Sequence, residues 1–445
     1  MLREGKGGLR AGERLYIMAQ PRIVHMSYSA DEGGAARAAY RQHEALARAG
    51  LNSSMFVLRS SIQNDEHIYR FEPSPGMWSR LLHIARKVWW HASFERYSHS
   101  RPSDLEIFTG DRSPFGNEPL LAIPEADILN FHWVAQFVDY RSMLGALGRR
   151  APMIWTLHDM NPFTGGCHYA LNCDGYTRSC GACPQLGSRS QHDLSRKIWK
   201  RKWRAFQEIG HDRLHVVTPS QWLADRARES SLFSERPIRV IPYGLDTELF
   251  SPRDPQISRE LLGLHSTMLT LLFVSDSVSN SRKGYKLLKR VLARLKDMDH
   301  IQLVSVGEGA NDRDLQANVI HAGRIDNERL LSFIYSAADV FVIPSLADNL
   351  PNTVLESMAC GTPVVGFDVG GIPEMVRPRV TGLLAPVGDC EALGEAIRSL
   401  LSDHDLRREM AENCRRIAVE KYSLEVCARA YEALYRSVLN EQPCD

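Results

Sequence analysis

The chain has 445 residues, 44% of them apolar and 24% charged, the balance of a soluble globular protein long enough for two or three domains. Its 54 basic and 53 acidic side chains leave a formal net charge of +1, so no global field favours nucleic acid as a partner. No apolar run is long enough to span a bilayer, and nine cysteines with no secretory leader ahead of them argue against a secreted disulfide scaffold.

Residues 1–20 lack an apolar stretch followed by a small-residue cleavage site and are expected to form a disordered extension, with Met18 as an alternative start. The first strand-like run, RIVHMSY at 22–28, leads through Gly33-Gly34 into a helical stretch that ends at Gly50. SMFVL at 54–58 supplies the next strand, completing a βαβ unit. Further strands are expected at 127–131, 153–157 and 214–218. Residues 247–267, rich in Pro, Ser and charge without a clear period, are placed as the linker between domains. Beyond it, strands at 270–274, 301–306, 319–322, 339–343 and 363–367 alternate with helical patterns at 284–298, 326–338, 352–360 and 389–403. Short apolar strands alternating with helices predict parallel sheets covered on both faces, one in each of two similar βα domains, 21–246 and 268–422. In the terminal segment, 423–445, an amphipathic helix has an apolar face suited to crossing back to the first domain.

Ligands of such sheets bind outside the carboxyl ends of the strands, so the loops after the strands carry the candidates. The loop after 339–343 reads PSLADNLPNTVLESMACGTPVV, with Asp348 in the loop and Glu356 eight positions on, inside a helix that Pro351 suits as a start. The backbone N–H groups from Asn349 and Leu350 to Thr353 would face the cleft at that helix N-terminus, an anion site. A carboxylate accepts two hydrogen bonds in fixed geometry, which suits sugar and ribose hydroxyls. After 270–274, Arg282 and Lys283 stand just before Gly284, an arginine fork and a point charge for phosphate oxygens. VGEG at 306–309 places Gly307 in a turn that lets backbone approach a ligand. Gly33-Gly34 lacks the full dinucleotide fingerprint, which counts against a dehydrogenase. His132 ends one first-domain strand and His158-Asp159 ends another.

Two segments stand apart. Cys167, Cys173, Cys180 and Cys183 fall in a Gly-, Asn- and Pro-rich insertion at 160–187, where four thiolates suit a tetrahedral structural zinc; disulfides or buried free thiols are the alternatives. RKIWKRKWR at 196–204 holds six basic residues and two tryptophans without an acid, and WSRLLHIARKVWWHASFERYSHSR at 78–101 is a weaker version. Both suit an anionic bilayer surface; solvated helix faces with tryptophan in the core are the alternative.

The run PSLADNLPNTVLESMACGTPVVGFDVGGIPEMV resembles the signature of family 4 of the retaining glycosyltransferases, and the similarity extends over about 22–425. HDMNPFTGGCHY and the cysteines after it resemble a bacterial subgroup that builds capsule, exopolysaccharide and O-antigen chains. The resemblance implies the GT-B fold, two Rossmann-like α/β domains facing across a cleft. It implies a nucleotide-diphosphate sugar, UDP- or GDP-linked, held mainly by the second domain. Glu356 matches the residue expected on the ribose hydroxyls, and Lys283 the phosphate-binding lysine. Asp348 stands where the family has its first motif Glu, near the transferred sugar. Ser277 stands where the family has an Arg, with Arg282 as the substitute. His132 matches the histidine near the donor sugar and Gly34 the glycine under the diphosphate, with Gly307, Asn349 and Leu350 completing the donor site. The implied reaction is front-face displacement carried by His132, Asp348 and Lys283, with no catalytic metal or other cofactor. The acceptor expected is a glycan or a polyprenyl-diphosphate-linked glycan, and the place the cytoplasmic, inner face of the plasma membrane. A nucleotide-sugar epimerase and a non-catalytic binding protein on the same scaffold are the rival functions.

Overall fold

The computed structural model describes residues 20–441 apart from 64, 103–106, 296, 299 and 310–317. The expected extension at 1–20 therefore lies, except for Gln20, outside the described residues.

The first domain runs β1 (Ile23–Ser29), α1 (Gly34–Arg48), β2 (Ser53–Arg59), β3 (Ile68–Arg70), α2 (Met77–Glu95), β4 (Ile128–Phe131), α3 (Tyr140–Arg150), β5 (Met153–Thr156), α4 (Leu194–Gln207), β6 (Leu214–Thr218), α5 (Gln221–Glu229) and β7 (Ile238–Val240). Its strands pair in parallel in the order β3-β2-β1-β4-β5-β6-β7. The mainly apolar or β-branched runs of β4, β5 and β6 are buried along their whole length, as expected of strands covered on both faces.

The second domain runs α6 (Pro255–Leu261), β8 (Leu269–Ser277), α7 (Tyr285–Leu292), β9 (Ile301–Glu308), β10 (Asn318–Gly323), α8 (Glu328–Ala337), β11 (Val340–Ile343), α9 (Asn352–Ala359), β12 (Val364–Phe367), α10 (Ile372–Met375), β13 (Gly382–Ala385), α11 (Cys390–Ser402), α12 (His404–Tyr422) and α13 (Leu424–Asn440). Its parallel sheet has the order β10-β9-β8-β11-β12-β13. The strand order of each sheet reverses direction once, between β1 and β4 and between β8 and β11, and those crevices are where a ligand fits.

The 247–267 stretch is not a bare linker. Asp254 caps α6 by accepting from the Ile257 N–H at 2.9 Å, and Phe250 and Leu264 are buried in the second-domain core. The last helix returns to the first domain: Tyr431, Leu434, Tyr435 and Val438 of α13 pack on Ile23, Ile128, Ile154 and Val217 from four strands of the first sheet. Direct ties also hold the domains together. The Glu374 carboxylate accepts from the Gln221 and Trp222 N–H groups at the start of α5, both at 2.8 Å. Asn349 receives the Ser220 hydroxyl at 2.5 Å and donates to the His158 carbonyl at 3.2 Å. The GGIPE turn serves this contact, since a Cβ on Gly370 or Gly371 would come within 2 Å of the Asp348 or Asn349 carbonyl oxygen.

Candidate functional site

A cavity of about 560 Å³ opens between the domains at the strand ends of both sheets. Arg37, Arg282, Lys283 and Arg324 line it together with the carboxylates of Glu32, Asp159, Asp276, Asp348 and Glu356. The charged wall of the second domain is organised around Asp348. Its carboxylate receives Lys283 Nζ at 2.8 Å, Ser345 Oγ at 3.3 Å and its neighbour's N–H, from Asn349, at 3.2 Å. Arg282 Nη1 stands 3.3 Å from the same carboxylate and donates to the Ala347 carbonyl at 2.6 Å, while its guanidinium lies 4.4 Å over the Tyr169 ring. Burial disfavours the Asp348 charge, but Lys283 and Arg282 outweigh it and hold the carboxyl below its ordinary range. The sequence separates these charges by 65 positions; the fold brings them into one cluster.

Ser277 places no cation at the cavity, and its hydroxyl pairs with that of Ser279 at 2.7 Å. Glu356 does line the cavity, almost wholly buried, but each of its oxygens already has a partner. Arg41 Nη2 reaches one at 2.8 Å and the Tyr335 hydroxyl donates to the other at 2.9 Å. A carboxylate oxygen accepts twice, so Glu356 keeps capacity for further hydroxyls. Arg41, on α1, also reaches Glu328 at 2.6 Å and thus clamps α1 of the first domain to α8 and α9 of the second. Burial opposes its charge, and the two glutamates raise its pKa in spite of that.

Gly34 opens α1 at the cavity wall, and its carbonyl receives Asn352 Nδ2 at 2.9 Å. Asn349 and Leu350 line the same wall. Gly307 does not: with φ of 143° it lets β9 pass β8, where a Cβ would come within 2.5 Å of the Ser275 carbonyl oxygen.

His132 is buried behind the cavity rather than lining it, with Nε2 2.9 Å from His25 Nδ1 and Nδ1 3.0 Å from His158 Nε2. His158, at the end of β5, is the imidazole on the cavity side, and its Nδ1 meets the Tyr243 hydroxyl at 2.7 Å. Burial pushes the His158 imidazole down to about 4, and burial with the neighbouring His25 and His158 holds His132 well below its ordinary value. The reason is geometric: β4 ends one residue before His132, whose ring turns back into the sheet layer, whereas the segment after β5 continues into the cleft.

Next to His158, Asp159 pairs with His168, which sequence reasoning did not single out, at 2.6 Å between Oδ2 and Nδ1. Asp159 also accepts the Asn161 N–H at 2.8 Å and Trp133 Nε1 at 3.1 Å, and His168 Nε2 meets Thr109 Oγ1 at 2.8 Å. Burial resists the Asp159 charge, and the His168 contact and N–H donation keep the carboxyl low. Both residues face the cavity from the first domain. The available signal was HD directly after a strand and a second His within the same HDMNPFTGGCHY run.

Cys167, Cys173, Cys180 and Cys183 are free thiols that line one small void of about 20 Å³, room for a single water-sized body. The Gly165 N–H points at Cys180 Sγ (3.2 Å) and the Gly175 N–H at Cys173 Sγ (3.4 Å). Among the described residues, no group of three or more His, Cys, Asp or Glu side chains is arranged to hold a metal ion.

The basic run at 196–204 forms α4, whose Ile198, Lys202, Ala205 and Phe206 are buried. Lys202 has no exposure, its Nζ lies 3.4 Å from Asn161 Oδ1 and also meets the Asn161 carbonyl, and burial pulls it down to about 8. Arg201 grips Asp111 with two nitrogens at 2.6 and 2.8 Å, and Trp199 Nε1 donates to Ser231. Arg201 and Lys202 are thus spent on internal partners, while Lys197, Lys200 and Arg204 stay exposed on the outer side of α4 beside Trp203.

Comparison with known proteins identifies the architecture. Residues 32–249 match the model of Glycosyltransferase Family 4 and residues 269–403 that of Glycosyl transferases group 1. D-inositol 3-phosphate glycosyltransferase of Corynebacterium jeikeium is 31% identical over 220 residues, 45% of this chain and 52% of that protein. N-acetyl-alpha-D-glucosaminyl L-malate synthase of Bacillus anthracis is 27% identical over 215 residues, 46% of this chain and 55% of that protein. The chain spans about half the length of these curated relatives. Sucrose-phosphate synthase from Thermosynechococcus elongatus superimposes with a TM-score of 0.65 at 22% identity, covering 95% of this chain and all of that one. Anabaena HepE in complex with UDP-glucose does so with 0.61 at 17% identity, covering 94% of this chain and all of that one. Two parallel-sheet domains meeting at a charged cleft, each matching its own family model, make this chain a Glycosyltransferase Family 4 domain joined to a Glycosyl transferases group 1 domain in the GT-B fold.

Proposed function

We propose that the protein is a retaining glycosyltransferase that moves a sugar from a UDP- or GDP-sugar to a glycan or polyprenyl-diphosphate-linked acceptor in bacterial surface polysaccharide synthesis. One observation carries this reading: Lys283 and Arg282 converge on the cavity beside Asp348, eight positions before the ribose candidate Glu356. A donor diphosphate entering the cavity takes over the two cations that Asp348 holds, and Asp348 turns to hydroxyls of the sugar. The acceptor hydroxyl forms its bond to the anomeric carbon on the face the diphosphate leaves. As the anomeric C–O bond breaks, its electrons go to the diphosphate oxygen, and the same oxygen takes the acceptor proton. Lys283, Arg282 and the N–H groups at the start of α1 stabilise the growing charge, where fixed dipoles and cations are worth most. Asp159 and His168 face this reaction from the first domain, where they orient the acceptor.

The test is incubation with donor alone, followed by proton NMR. Slow release of free sugar and nucleotide diphosphate supports a transferase; an epimerised donor supports the isomerase reading instead.

A further inference from the structure

Helix α2 is built inside out. Its 19 residues include none that is buried. Its inner stripe is polar and aromatic: His83 meets Glu118 at 2.8 Å, Arg86 donates to the Pro114 carbonyl at 3.1 Å, Trp90 lies against Gly110, and Phe94 packs on Phe108 at 6.0 Å between centroids. Its outer stripe is apolar. Trp78, Leu81, Leu82, Ala85, Val88 and Trp89 recur at the i, i+3, i+4, i+7 spacing of one helix face, and all are exposed, Trp78 to 76%. A soluble helix ordinarily turns such a face inward, and a contiguous exposed patch of this kind marks an interaction site. Leu121, 94% exposed, extends the patch from the turn that carries Glu118.

The charge pattern selects the occupant. On a helix of 100° per residue, exposed Met77 and Ile84 extend the apolar arc on one side, and Arg80 and Lys87 follow there, while Arg86 on the other side is held by the Pro114 carbonyl. Residues 77–94 contain no acid; Glu95 stands at the last position and Glu118 is engaged on the inner face. An apolar arc, a cationic flank and two tryptophans are the features of a helix lying in a bilayer interface. No described helix is long and apolar enough to cross a membrane, so contact is lateral. We infer that α2 docks the protein onto an anionic lipid surface by inserting Trp78, Leu81, Leu82, Val88 and Trp89 at headgroup depth. The contact is directed at the cleft: Phe108 beneath α2 adjoins Ile107, which lines the cavity, and Thr109 bonds to His168 of the cavity wall. Its purpose, presenting a lipid-linked acceptor to the first domain, rests on the transferase reading; the docking itself does not.

The experiment is flotation of the whole chain with phosphatidylcholine vesicles with and without phosphatidylglycerol, at low and high salt. Binding is expected on the anionic vesicles alone, with release by salt. Arg80→Gln with Lys87→Gln should weaken it about 30-fold, since each basic residue near such a surface contributes about fivefold. Trp78→Ser with Trp89→Ser should abolish it and also the blue shift of tryptophan emission seen in wild type. These side chains are exposed, so both variants should keep the wild-type melting point and the same shift of it by nucleotide sugar. Wild type that ignores anionic vesicles at low salt, variants that bind as wild type does, or a dimer that the tryptophan variant disperses would overturn the inference. Vesicle binding with no response to nucleotide sugar would instead sink the transferase reading and leave the docking intact.

Discussion

Arg41→Met removes the cation that joins α1 to α8 and α9. Methionine keeps much of the stem volume, so the loss is mainly electrostatic. In the wild type, Arg41 is only 4% exposed and sits 2.8 Å from Glu356 and 2.6 Å from Glu328. Glu328, about one-third exposed, can be solvated when the arginine is gone, whereas Glu356, 2% exposed, keeps only the Tyr335 hydroxyl. Removing one partner of a buried pair costs about 3–5 kcal/mol, because the other charge is left uncompensated. For a domain of this size, ~2–4 °C per kcal/mol converts this to a melting point roughly 6–20 °C lower. Arg41→Met with Glu356→Gln leaves a neutral amide in place of the stranded charge and should recover more than half of the loss. Differential scanning fluorimetry and urea unfolding of the two variants measure this. A single variant within about 1 kcal/mol of wild type, or a double variant no better than the single one, would refute the reasoning.

Lys283→Ala should lower kcat more than it raises KM for the donor, because the leaving diphosphate gains charge in the transition state; a raised KM at unchanged kcat would show that Lys283 serves ground-state binding only. Stability should fall on mild acidification. His43 and His158 are held down to about 4 by burial, so between the unfolded value near 6.5 and that point the unfolded chain binds more protons than the folded one. The folded state therefore has its full stability above pH ~6.5 and loses up to about 3 kcal/mol per such imidazole as pH drops towards 4, with His25 and His132 acting in the same direction. Urea midpoints between pH 8 and 5 check the sign, and a midpoint that is flat or rises on acidification contradicts it.

What the sequence disclosed follows from what is local. The strands at 127–131, 153–157 and 339–343 are short, mainly apolar runs, and β4, β5 and β11 lie within them. The short β7, half-buried at the sheet edge, and β3, mostly exposed, carry too little apolar signal to be read. Asp348, Glu356 and Lys283 were legible because each sits next to a strand end, a helix start or a glycine turn. Arg41 was not, since its partner lies 315 positions away and nothing in α1 distinguishes it from a solvated arginine. His132 and His158 are both histidines at strand ends, and only the turn of the chain after β5 decides which one meets the cleft. Helix periodicity alone does not decide between the two readings of α2 and α4. It finds an apolar face but cannot say that α2 turns that face outward, and it counts cations in α4 without seeing Asp111 and Asn161 waiting for them.

The central claim is that the cleft binds a nucleotide-diphosphate sugar through Lys283 and Glu356. A thermal-shift titration with UDP-, GDP- and ADP-sugars measures it directly. One nucleotide class should raise the melting point in a saturable way, by about 2.7 kcal/mol of added stability at a hundred times its Kd, and Lys283→Ala and Glu356→Ala should each reduce that affinity by about 1.5–3 kcal/mol. No shift with any nucleotide sugar, or an equal shift in both folded variants, would contradict the account.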